Sequence, residues 1–227
     1  MVGMLLVGAV GTVGAAYSDT VNDGTGDVMH WHFSKNAWGW SYNNERPNID
    51  ITQIKMSDSG GIITLTMKVK GTIIDSERMI TYMFFIVDDK GTATIDDDST
   101  YVINYVNGES VLMGGDEEEY YMLDLSENAS HSGDTLTTHF SLSAIGNPGQ
   151  LKFSEDSAGF TTDHPEAGEE GIGEYYSDVV PDEDVVTPDE EKEEKYSVPG
   201  EKGKTPGFEA VFAVAGLLAV AYLLRRR

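Results

Sequence analysis

The segment Met29-His30-Trp31-His32-Phe33-Ser34-Lys35-Asn36-Ala37-Trp38-Gly39-Trp40-Ser41-Tyr42 holds all three tryptophans of the chain. Flat aromatic faces are what the C–H surface of a sugar ring stacks on, and in an extended segment Trp38, Trp40 and Tyr42 alternate onto one face. Together with Trp31 they form a candidate carbohydrate platform, with Lys35, Asn36, Asn43 and Asn44 close by in sequence to meet hydroxyl groups. The same rings would serve equally as core or edge cover of a β domain. His30 and His32, two residues apart, share a face of an extended strand, but a histidine pair without a fixed third ligand is a poor transition-metal signature. Asp23 and Asp27 before the aromatic segment and Asp50 after it place carboxylates beside backbone carbonyls, which is the oxygen set that calcium takes. The acidic runs Asp96-Asp97-Asp98 and Asp116-Glu117-Glu118-Glu119 read instead as solvated loops.

Catalytic signatures are missing. The chain has no cysteine, no HExxH, no GxSxG, no P-loop and no glycine-rich dinucleotide loop, and no carboxylate pair stands out by context as a glycosidase pair. A non-catalytic protein is therefore expected. With 39 acidic against 15 basic residues and a net charge of −24, the chain lacks the clustered Lys and Arg that phosphate contacts need, so nucleic acid is excluded as a partner. Such acidity suits a solvated surface, a salty medium or divalent cations. Without cysteine, an exported domain here must fold on its hydrophobic core alone.

The elements that would carry these side chains read as β-strands. In Ile63-Thr64-Leu65-Thr66-Met67-Lys68-Val69-Lys70 the apolar residues recur with period two, as a half-buried strand requires, and Ile54 and Met56 alternate with Gln53 and Lys55 in the segment before it. Asp58-Ser59-Gly60-Gly61 between them is turn chemistry and predicts a hairpin. Further strands are predicted over 79–87, 100–106, 111–113, 120–125, 135–142 and 151–154, separated by turns such as Asn107-Gly108 and Ser132-Gly133-Asp134. Eight or so short strands with one apolar face predict an all-β fold, an antiparallel β-sandwich. Asn128-Ala129-Ser130, in a polar segment between strands, is a glycosylation sequon, the only one present.

Both ends carry targeting features. Residues 1–16 contain an apolar run ending in Val13-Gly14-Ala15-Ala16, which reads as a secretory signal peptide that lacks the usual basic residue before the run. The domain then spans 17–181. Residues 182–205 shift to Glu, Asp, Lys, Pro and Gly, the composition of an extended disordered stalk. In 206–227 an apolar run from Phe208 to Leu224 is long enough to cross the ~30 Å hydrocarbon core as a helix, and Arg225-Arg226-Arg227 against its end orients the domain outward.

Pro206-Gly207-Phe208, the apolar run and the basic end, in that order, resemble the PGF-CTERM sorting signal of archaeal surface proteins. The resemblance implies that an archaeosortase, a membrane transpeptidase, cuts near the tripeptide and that a lipid replaces the span, so the domain is held at the cell surface on the cytoplasmic membrane. A second resemblance rests on Asp23-Gly24-Thr25-Gly26-Asp27-Val28, Pro47-Asn48-Ile49-Asp50-Ile51, Ser132-Gly133-Asp134-Thr135-Leu136 and Tyr176-Ser177-Asp178-Val179-Val180-Pro181. These look like the calcium-associated β-sandwich modules of glucodextranase-type enzymes and archaeal surface proteins, themselves similar to DOMON and family 9 carbohydrate-binding sandwiches. The resemblance implies an immunoglobulin- or DOMON-like sandwich with calcium at Asp23, Asp27, Asp50 and Asp178. No catalytic domain accompanies the module here. The expected function is a surface-anchored binding module for carbohydrate of the envelope or environment. The alternatives are a structural surface-layer component making protein contacts, and a haem-binding electron-transfer module by analogy with DOMON domains.

Overall fold

The computed structural model describes residues 17–34, 37–43, 45–75, 79–90, 99–115, 119–155, 157–166, 174–181 and 196–197. The expected signal peptide, the sorting tail with its apolar run, and most of the expected stalk lie outside these residues. Among the described residues the fold is antiparallel β-sheet with two short 3-10 turns, at Ser126–Asn128 and Leu142–Ile145, and no helix is long and apolar enough to cross a membrane.

The first sheet has five strands. In spatial order they are β1 (Ser18–Asn22), β4 (Ile51–Ser59), β5 (Ile62–Val69), β11 (Thr135–Ser141) and β10 (Ala129–Ser132). The second runs β15 (Tyr196–Ser197), β3 (Ala37–Tyr42), β2 (Met29–Ser34), β14 (Glu174–Val180), β13 (Gly159–Glu166), β6 (Met79–Asp88), β7 (Ser99–Val106), β8 (Glu109–Gly115) and β9 (Tyr120–Asp124). A short β12 (Leu151–Phe153) also pairs with β6, beyond the end of β13.

The alternation read from the sequence sets the core. Ile63, Leu65, Met67 and Val69 of β5 are buried while the threonines between them are not, and Ile54 and Met56 of β4 join the same cluster. From the second sheet come Tyr82, Phe84 and Ile86 of β6, Ile103 and Tyr105 of β7, and Leu112 of β8. Each such side chain contributes roughly 1.5–3 kcal/mol when fully removed from water. The two sheets approach closely at Gly159 of β13, where a Cβ would strike the Ile54 side chain and stand 3.3 Å from Met67 Cε.

The predicted hairpin forms. β4 and β5 pair antiparallel, Gly60 and Gly61 take φ of 65° and 83°, and the Gly61 N–H donates to Asp58 Oδ1 at 2.9 Å. Fifteen strands are described, where the sequence pattern predicts eight or so. The sequon straddles the end of the β9–β10 connection and the start of β10. Asn128 closes a 3-10 turn, and Ala129 and Ser130 begin β10, which pairs with Thr138 and Thr137 of β11. Two residues of the expected stalk, Tyr196 and Ser197, pair with Trp38 and Ala37 at the sheet edge.

Candidate functional site

Two neighbouring strands, β13 and β14, turn polar residues inward. Successive side chains of a strand alternate between faces, so Thr161 and Asp163 share one face of β13, and Tyr176 and Asp178 share one face of β14. Both sets point toward the first sheet. Thr161 Oγ1 donates to the Ile49 carbonyl at 2.6 Å, and Asp178 Oδ2 accepts the Ile51 N–H at 2.6 Å. All four residues are buried.

Asp178 meets two carboxylates from remote parts of the chain. Asp27 comes from the loop between β1 and β2, Asp50 from the residue just before β4, and their carboxylate oxygens and that of Asp178 all lie within 4.8 Å of one another. Asp50 and Asp178 are fully buried, at 0% and 1% exposure, and Asp27 is half-buried. Asp50 Oδ2 accepts the Gly26 N–H at 2.9 Å and faces Lys70 Nζ at 3.2 Å, while Asp50 Oδ1 is buried with no hydrogen-bond partner. A bulge at Thr52 interrupts the β4–β5 register beside the cluster, a device that re-aims a strand end. Three oxygen ligands with one lysine leave a net negative, oxygen-lined site of the kind a hard divalent cation fits. Three of the four aspartates singled out in the sequence are thus together. Asp23 is outside the group, with its N–H donating to the Thr52 carbonyl at 3.1 Å. Lys70 was missed because it continues the polar face of the β5 alternation after Thr64, Thr66 and Lys68, where a lysine is unremarkable.

Around Asp163 a second arrangement forms that sequence reasoning did not find. Arg46 Nη1 stands 3.5 Å from Asp163 Oδ2, and the Arg46 guanidinium carbon sits 4.2 Å from the centre of the Tyr176 ring. His30 stacks on the same ring at 4.2 Å and 11°, so Tyr176 is held between an imidazole and a guanidinium. His30 is thereby placed in a ring stack, while the side chain of His32 lies outside the described residues. Directly after Asp163 the β13–β14 register shifts, with Asp163 opposite Tyr176 but Glu166 opposite Glu174. The sequence carried no distinctive signal for it, because Thr161-Thr162-Asp163-His164 is one polar run among several in an acidic chain.

The aromatic segment folds as the hairpin β2–β3. Its register puts Trp31 opposite Trp40, Phe33 opposite Trp38 and Met29 opposite Tyr42, and adds Tyr175 opposite Trp31 and Tyr196 opposite Trp38. Residues directly opposite in an antiparallel pair belong to one face, so these positions line a single face of the second sheet. Tyr42 is 43% exposed, while the side chains of Trp31, Trp38 and Trp40 lie outside the described residues. The sequon residue Asn128 is half-buried and Ser130 exposed.

Comparison with known proteins bears on the C-terminal end. The PGF-CTERM motif model matches residues 205–227, including Pro206, Gly207 and Phe208. That motif marks the chain for archaeosortase processing and places it at the archaeal cell surface, anchored at the membrane. Over 25 residues, 11% of this chain, it is 84% identical to a protein of Archaeoglobus fulgidus described as uncharacterized, and the match covers 2% of that relative's length. No solved structure matches the chain.

Proposed function

We propose that the two sheets form a β-sandwich that acts as a non-catalytic binding module on the cell surface, taking carbohydrate of the envelope or environment, with calcium fixing its loops. The observation that carries this reading is the aromatic ladder. Two tryptophan-bearing strands pair so that Trp31, Trp38, Trp40 and Tyr42 occupy one sheet face, joined by Tyr175 and Tyr196. A row of rings is a stacking platform for the C–H faces of successive sugar units. Calcium would be held by Asp27, Asp50 and Asp178, tying the β1–β2 loop and the start of β4 to β14. The unpartnered Asp50 Oδ1 supports that assignment.

A structural surface-layer role is favoured by a different observation. On the edge strand β9, Tyr120 and Met122 are 60% and 48% exposed, with neither lysine nor proline to guard the edge. The readings separate by binding of the full chain, in detergent micelles, to a panel of polysaccharides and to isolated envelope, beside a Trp38→Ala/Trp40→Ala variant with unchanged circular dichroism. Saturable polysaccharide binding lost in the variant is expected. Association only with envelope protein or with itself would replace the carbohydrate reading by the structural one.

A further inference from the structure

A cavity of about 280 Å³ opens beside β13, lined by the isoleucines 49, 74 and 80 and by Glu45, Arg46, Asn48 and Asp163. It shares no carboxylate with the Asp27, Asp50 and Asp178 group. Its chemistry centres on Asp163, which is 4% exposed. One carboxylate oxygen faces Arg46 at 3.5 Å, a long ion pair, and the other, Oδ1, is buried and accepts no hydrogen bond. A buried acceptor left unmet costs about 1–3 kcal/mol, more when charged, so native structures rarely leave one without a partner.

We propose that this cavity binds a compact organic ammonium ion, its N–H donors on the Asp163 carboxylate and its short aliphatic body on Ile49, Ile74 and Ile80. The competing ligand classes fit less well. An anion would need Arg46, whose charge is already answered by Asp163 and whose plane is pinned over Tyr176, and it would meet the Glu45 carboxylate as well. A bare inorganic cation seeks a shell of oxygens, whereas three of the seven lining residues are isoleucines. A cavity of roughly 150 Å³ already accepts a benzene-sized body, so this one has room for such a body and its head group. A neutral hydroxyl could also donate to the carboxylate, but an N⁺–H donor to a carboxylate makes a bond roughly twice as strong as a neutral pair, and the chain's net charge of −24 concentrates cations at its surface.

The test uses the full chain in detergent micelles at neutral pH, with n-butylammonium and butan-1-ol as probes, read by calorimetry and by NMR shifts of the isoleucine methyl groups. Saturable ammonium binding, at least tenfold tighter than the alcohol, is expected. Asp163→Asn should bring the two probes level. Ile74→Phe, which fills the cavity and leaves Asp163 intact, should weaken the ammonium at least tenfold, and it decides the matter alone if Asp163→Asn does not fold. The proposal is overturned if neither probe binds, which would mean the cavity holds water only, if the alcohol equals the ammonium, or if either folded variant binds as the parent does.

Discussion

At Asp178 a single oxygen atom separates structure from ligand binding. Its Oδ2 accepts the Ile51 N–H, a bond that an asparagine carbonyl can also accept, so Asp178→Asn keeps the link to β4 and removes only charge. Like charges within 4.8 Å of each other repel by about 3 kcal/mol per pair at an effective dielectric near 20. Without calcium, the variant should therefore be as stable as the parent or more so in urea unfolding. With calcium about a hundredfold above its dissociation constant, the parent should gain about 2.7 kcal/mol and the variant should not. Identical parent unfolding midpoints in calcium and in chelator would remove calcium from the account. Tyr82 is a second residue whose hydroxyl can be isolated. It accepts the Ile74 N–H and donates to the Asn48 carbonyl, both at 3.1 Å. Burial, opposed by the Ile74 hydrogen bond and aided by Asp75 and Asp163, pushes its pKa from 10.0 up to about 12. Burial and the hydrogen bond to Asp75 push Tyr105 up as well. A phenol with a raised folded pKa holds its proton longer in the folded chain than in the unfolded one. Its stabilising contribution is therefore whole below pH 10 and is lost as pH rises toward 12. Tyr82→Phe should cost about 1–2 kcal/mol at pH 7, and its stability should fall less steeply than the parent's across that alkaline window. Parallel declines in urea midpoint from pH 10 to 12 would show that Tyr82 does not set that slope.

At the scale of elements, the strands that alternate cleanly were legible and those with polar inner faces were not. β5 reads directly as Ile63, Leu65, Met67 and Val69, because water on one side and core on the other impose period two. β13 and β14 bury Thr161, Asp163, Ser177 and Asp178, so their inward residues look like solvent-facing ones and the period vanishes. The same substitution of polar for apolar residues that hid these strands also builds the two clusters, so the missed strands and the missed Asp163 have one cause. Only Asp178 was found, through a resemblance carried by the motif around it, while the register that brings Asp27, Asp50 and Asp178 together depends on strand order, which no local pattern encodes. β13 must also lie close to the first sheet. Its Gly159 is held there because any Cβ would strike Ile54, so Gly159→Ala should displace the Ile54 and Met67 side chains and destabilise the chain by about 1–3 kcal/mol. A urea midpoint unchanged in Gly159→Ala would show that the sheets have slack at this point.

At the scale of the whole molecule, the C-terminal signal and the acidic domain have to be read together. The motif over 205–227 directs archaeosortase processing and anchoring at the membrane. A domain held at a membrane carries its charge, −24 over the chain, beside the headgroups, where an anionic surface would repel it within a Debye length of about 8 Å at physiological ionic strength. Residues 182–205, expected from their composition to be a charged stalk, lie outside the described residues apart from Tyr196 and Ser197, which pair with β3. Processing, by contrast, should depend on the tripeptide. Replacing Pro206-Gly207-Phe208 by three alanines leaves the apolar run and the basic end intact, so membrane attachment by a span should survive while processing fails. In an archaeal host with an archaeosortase, mass spectrometry should find the parent chain without its C-terminal segment and bearing a lipid, and the variant full-length. Both should sediment with membranes, the parent through its anchor and the variant through its apolar run. If the variant were trimmed and lipidated like the parent, recognition would have to lie in the span or the arginines, and Pro206, Gly207 and Phe208 would lose their role in sorting.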